Sequence, residues 1–95
     1  MPRTATITVH LATPLRASSG GAKELAVSAA NVRDALAELE RLHPALHRDV
    51  CDETGAVRRH IGVFVNRAHV RDREGLDTPL APGDVLSIMT AVSGG

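Results

Sequence analysis

The chain has no tryptophan, no tyrosine and a single phenylalanine, Phe64, so its interior has to be filled by Val, Leu, Ile and Ala. Recognition of nucleobases or sugars by stacking on a row of rings is excluded with the aromatics. One cysteine, Cys51, excludes a disulfide framework, a paired zinc knuckle and a Cys-x-x-Cys redox centre, and it fits a reducing compartment. Eleven basic residues balance eleven acidic ones, which leaves neither the electrostatic footprint of a nucleic-acid binder nor a polybasic face for a membrane surface. No apolar run approaches the roughly 20 residues of a membrane span, and residues 1–11 alternate with threonines where a signal peptide would carry an unbroken apolar core. A soluble, cytoplasmic protein that binds neither nucleic acid nor membrane is expected.

What is present suits one small domain. A chain of 95 residues buries about 60 to 65% of its unfolded surface, enough for one modest core. Residues 5–11 alternate apolar and polar, with Ala5, Ile7, Val9 and Leu11 on one side, the pattern of a half-buried strand. Pro14 and the Ser-Ser-Gly-Gly run at 18–21 break the pattern, and Leu25 and Val27 resume it weakly, which reads as a hairpin with a loose loop. Asn31 is a good N-cap for a helix whose apolar side carries Val32, Ala35, Leu36, Leu39 and Leu42, with Asp34 favourably placed in its first turn. Pro44 ends that helix near His43, and residues 44–50 have room for one more short turn.

Residues 60–65 form the strongest strand, with Ile61, Val63 and Val65 on one face and His60, Gly62 and Phe64 on the other. Asn66 and Arg67 turn the chain into a short strand at 68–70. A polar connection follows over 71–82, pinned by Leu76 and Leu80, and the turn Pro82-Gly-Asp84 leads into a last strand at 85–89 whose Leu86 and Ile88 face the core. The order β-β-α-β-β-β with one amphipathic helix predicts an α+β fold, a mixed sheet covered on one face by one main helix. Its body is residues 1–89, and residues 90–95 remain as a flexible C-terminal tail.

Few residues offer chemistry. Gly94 and Gly95 stand out, because with eight glycines in the chain chance places a pair there at roughly 0.7%. An enzyme that activates a carboxylate has to bring it to the α-phosphate of ATP and then admit a nucleophile to the acyl carbon. Side chains on the last two residues would obstruct both steps, and residues 90–95 fully extended span roughly 20 Å, enough to enter a buried site. His43, His47 and Cys51 recur every four residues, but Pro44 interrupts the helix that would align them, so no metal site is expected. Asp49 and Asp52 would raise the Cys51 pKa, against a nucleophilic role. Alternation places Phe64 and Met89 on the uncovered face, where an apolar patch on a small domain marks a partner surface.

A helix-covered sheet whose last strand runs into Gly-Gly resembles the ubiquitin-like β-grasp family, and within it the sulfur carriers of the MoaD and ThiS group. The resemblance rests on Val63-Phe-Val-Asn66, the turn Pro82-Gly-Asp84, the strand at 85–89 and the ending Ala91-Val-Ser-Gly-Gly95. It departs at Thr90 and Ala91, where many members have prolines, and at Ser93, where they have alanine. The resemblance implies that the chain binds no cofactor itself. A partner enzyme uses ATP to adenylate Gly95, and a sulfur donor converts the adenylate to a thiocarboxylate. It further implies that Phe64, Met89, Ala91, Val92 and Ser93 bind partners: the activating enzyme, and a sulfur acceptor that is either a cysteine synthase-like enzyme or the large subunit of molybdopterin synthase. The long connection at 44–59 and the Val70-Arg71 pair resemble carriers of cysteine biosynthesis; molybdopterin synthesis stands close behind and thiamine thiazole formation third. A modifier conjugated to lysines and a plain interaction module are the alternatives, and an enzyme in its own right lacks any dyad or phosphate loop.

Overall fold

The computed structural model describes residues 4–90. Strand β1 is Ala5–Leu11, β2 Glu24–Ala29, β3 Ile61–Val65, β4 Ala68–His69 and β5 Val85–Thr90, with helices α1 Val32–Leu42 and α2 Pro44–Val50 between β2 and β3. They form one five-stranded sheet in the order β2-β1-β5-β3-β4. Only the β1–β5 pair is parallel; β1–β2, β3–β5 and β3–β4 are antiparallel. This is the β-grasp arrangement, a mixed sheet with its helices on one side.

The core follows from the two periodicities. Ile7, Val9 and Leu11 of β1, Val63 of β3, and Leu86 and Ile88 of β5 are buried almost completely, as are Val32, Ala35, Leu36 and Leu39 of α1. Asn31 caps α1 as expected, its Oδ1 accepting the Asp34 N–H at 2.8 Å, a contact worth about 1 kcal/mol. Leu42 does not join the apolar stripe and is 46% exposed. It is the last residue of α1, and at His43 (φ −139°, ψ 72°) the chain turns into α2, whose Leu46 and Val50 are both fully buried.

Three connections are better ordered than their composition suggests. The expected loose hairpin loop is a 3₁₀ helix over Thr13–Ser19 that buries Leu15 and Ser19. The Ser19 hydroxyl donates to the Arg16 and Ala22 carbonyls, and Gly20 leaves the turn at φ 75°, a conformation that favours glycine. The expected strand at 68–70 stops at His69, because Val70 opens a 3₁₀ turn and buries its side chain. In the connection to β5, Thr78 is wholly buried: its hydroxyl donates to the Gly75 carbonyl and accepts the Glu74 N–H, while its carbonyl accepts the Val32 N–H at the start of α1.

Leu36 of α1 and Ile88 of β5 both belong to the buried core between helix and sheet, so Leu36→Ala and Ile88→Ala are each expected to cost about 2 to 5 kcal/mol through the cavity left behind. Urea unfolding followed by circular dichroism checks this, and an unchanged midpoint for both would mean that the two faces have been exchanged.

Candidate functional site

The candidate site lies where β5 ends. Residues 91–95, and with them Ala91, Val92, Ser93, Gly94 and Gly95, fall outside the described residues. Thr90, from which they continue, is held beside Ile61 of β3. β5 itself is fixed at its other end by Asn66, which takes the left-handed conformation at φ 56°. The Asn66 Oδ1 accepts the Val85 N–H at 3.0 Å, its backbone N–H donates to the Val85 carbonyl, and its Nδ2 donates to Asp84. Asp84 in turn accepts the Ala81 N–H, which closes the turn around Gly83. Asn66 and the Pro82-Gly-Asp84 turn, separate in sequence, thus form one clamp at the start of β5.

On the face opposite the helices, register brings one residue from each strand into a row: Glu24, His10, Ser87, Phe64 and His69. Phe64 lies on this face as expected, but half-buried, because the His69 ring meets it edge to face with centroids 4.9 Å apart. Its ring also lies over Gly62, where an added Cβ would approach Phe64 Cε1 to 3.1 Å. His69 is itself fixed, its Nδ1 accepting the Arg71 N–H at 3.1 Å. Met89 sits opposite Gly62 and is 41% exposed. Alternation already puts Gly62 on this face, but the sequence reading assigns neither it nor His69 to the site; a two-residue turn at Asn66 and Arg67 carries the missing signal, since it sets residue 64 opposite 69.

Cys51 and the histidines of the second helix form no ligand set. Among the described residues no three His, Cys, Asp or Glu side chains gather as metal ligands, and His47 Nδ1 faces Glu40 at 3.6 Å. Cys51 is buried, and burial is the main cause that pushes its thiol up; Asp52 and Glu40 add to the shift while Arg58 opposes it. Asp52 is held below the usual carboxylate range by the Thr54 hydroxyl and N–H, the hydrogen bonds that close the turn at 52–55. None of the described helices is long and apolar enough to cross a membrane.

The ThiS family model matches residues 9–95. The chain belongs to the ThiS family. Within it, the sulfur carrier protein CysO of Mycobacterium tuberculosis is 32% identical over 91 residues, 94% of this chain and 98% of that protein. The small archaeal modifier protein SAMP1 of Methanosarcina acetivorans superposes with a TM-score of 0.86 at 31% identity, over 97% of this chain and 98% of SAMP1. A chain of the Amycolatopsis orientalis BexX/CysO complex gives 0.85 at 34% identity, over 94% and 99%. The sequence resemblance to that group therefore holds.

The raised Cys51 thiol gives a pH prediction for this family member. A group whose folded pKa lies above its unfolded value contributes stability in full below the unfolded value, about 8.5 for cysteine, and loses it as pH rises through the folded one. With no tyrosine and one lysine, few other groups titrate in that range. The urea midpoint should fall more steeply above pH 8.5 for the wild type than for Cys51→Ala; parallel slopes would remove Cys51 as the cause.

Proposed function

We propose that this chain is a sulfur carrier whose working group is the carboxylate of Gly95. A partner enzyme presents ATP, the Gly95 carboxylate attacks the α-phosphorus, and pyrophosphate leaves. Sulfide from a sulfur donor then displaces AMP from the acyl carbon and loses its proton, which leaves a thiocarboxylate that a second partner consumes. The observation that carries this reading is the ThiS-family match running through Gly95, on a chain whose last described strand is paired with β1 as far as Ile88 and with β3 as far as Thr90. Similarity to the mycobacterial CysO protein over almost its whole length favours cysteine biosynthesis as the destination of the sulfur, ahead of the molybdenum cofactor. In this role the chain is a protein co-substrate and its enzymes supply the catalytic groups.

The outer face is the docking surface in this reading. Met89 and the edge of Phe64 are its apolar part; Met89 precedes Thr90 on β5, and Phe64 lies on the neighbouring strand β3. The similarity to SAMP1 supports a second reading, in which the same adenylate is transferred to lysine amines of other proteins.

Mass spectrometry of the native protein separates the two. The carrier reading expects the C-terminal peptide to gain the mass difference between sulfur and oxygen; the modifier reading expects a glycine isopeptide on target lysines. A residue added after Gly95 should abolish pyrophosphate exchange while leaving the unfolding curve unchanged, and normal exchange by the extended, unprocessed chain would sink the assignment of Gly95. Phe64→Ala should weaken binding of the adenylating enzyme by about thirtyfold if the ring sits at the centre of the interface. Equal affinity together with a badly destabilised domain would make Phe64 part of the core instead.

A further inference from the structure

The end of β5 is flanked by a hollow on each side of the sheet. On the outer side Gly62, Phe64 and Met89 form the hollow, with Arg59 and His60 beside Thr90. On the helix side Leu15, Arg48, Asp49, Arg58 and His60 surround the same threonine. Three arginines and a histidine therefore ring the point where the chain leaves the sheet. Among the described residues Asp49 is the only acidic one lining either hollow, and its carboxylate already accepts the Ser18 hydroxyl.

Arg48, Arg58 and Arg59 make no ion pair among the described residues. The Arg58 Nε donates to the Arg48 carbonyl at 2.8 Å, so Arg58 fixes the ring while Arg48 and Arg59 present charge. Arg48 and Arg58 also line a neighbouring hollow with Glu40, Asp52 and Glu53, so the excess of positive charge belongs to the side that faces Thr90, where Arg59 and His60 join them; such a local field selects and steers a partner.

We propose that this cationic collar is a recognition surface for an acidic mouth on the adenylating enzyme, which grips the root of the tail from both faces of the sheet. The inference rests on the carrier reading and adds the chemistry of the partner's entrance to it. The occupant follows from charge and reach. Residues 91–95 extended span roughly 17 Å, so when Gly95 lies at the α-phosphate of ATP the collar stands well outside, at the entrance of the site. Its counterpart is then a set of carboxylates at that entrance and not the nucleotide. Arg48 and Arg59 act on encounter and on affinity, not on the chemical step.

The double variant Arg48→Glu/Arg59→Glu tests this, with Arg58 left in place because it holds the turn. The assay is pyrophosphate exchange by the adenylating enzyme that activates the wild-type chain, read as kcat and KM for the carrier at low and high salt. The expected result is a rise in KM of about tenfold at low salt with kcat unchanged, shrinking as salt screens the charges. The same unfolding curve as wild type confirms that the fold is intact. An unchanged KM and salt dependence would overturn the collar as a recognition surface. A lower kcat at unchanged KM would also overturn it, because the arginines would then act on the tail or the adenylate. If the wild-type chain itself supports no exchange with any candidate adenylating enzyme, the carrier reading fails first, an outcome distinct from either.

Discussion

Strand β5 is hydrogen-bonded on both sides, parallel to β1 and antiparallel to β3, and the rest of the molecule is arranged around that placement. Leu86 and Ile88 are fully buried beneath the helices, so the strand is held by apolar packing as well as by its ladders. A central strand has no freedom to slip, since a shift of one residue would carry Leu86 and Ile88 to the outer face and Ser87 and Met89 inward. The position of Thr90, the last described residue, is set by that placement. For a domain whose proposed work is done by the residues beyond that point, this is the main mechanical requirement.

The two faces of the sheet divide the remaining tasks. The helix face carries stability: α1, α2 and the buried Thr78 close it with no unpartnered buried side-chain polar atom among the described residues. The outer face is the docking surface proposed above, since among the described residues no second layer covers it. Its apolar content is small, with Met89 exposed and Phe64 partly sheltered by His69. That economy suits a surface that is exposed to water between encounters. Gly62 is part of the same balance, since its missing side chain lets the Phe64 ring lie against the sheet.

Much of the fold was legible in the sequence because it rests on simple periods. The alternation at 5–11 and 61–65 and the Asn31 cap gave strands and helix their faces. What stayed hidden depended on contacts between segments far apart. Leu42 fits the helical stripe, and only the direction taken by α2 leaves it exposed. Thr78 is polar and sits among prolines and a glycine, and nothing local marks it as buried. The Thr13–Ser19 turn has loop composition, yet Leu15 anchors it to the core. For the site the division is reversed: Gly94 and Gly95 are legible only in the sequence, while the clamp, the outer row and the arginine collar required the register of five strands.

The pairing of β1 with β5 joins segments near opposite ends of the described chain, Thr8 with Val85 and Leu11 with Ile88. Contacts of such long range have to close a large loop before they return any stability, and they slow folding relative to local hairpins and helices. The β1–β2 hairpin and α1 can form as a local unit, but that unit leaves an unpaired edge on β1 and an uncovered apolar face. In the finished sheet β5 fills the β1 edge, while β2 stays an edge strand. A folding intermediate of this protein would thus lack the platform altogether, and an enzyme that recognises that platform would meet only molecules that have finished folding.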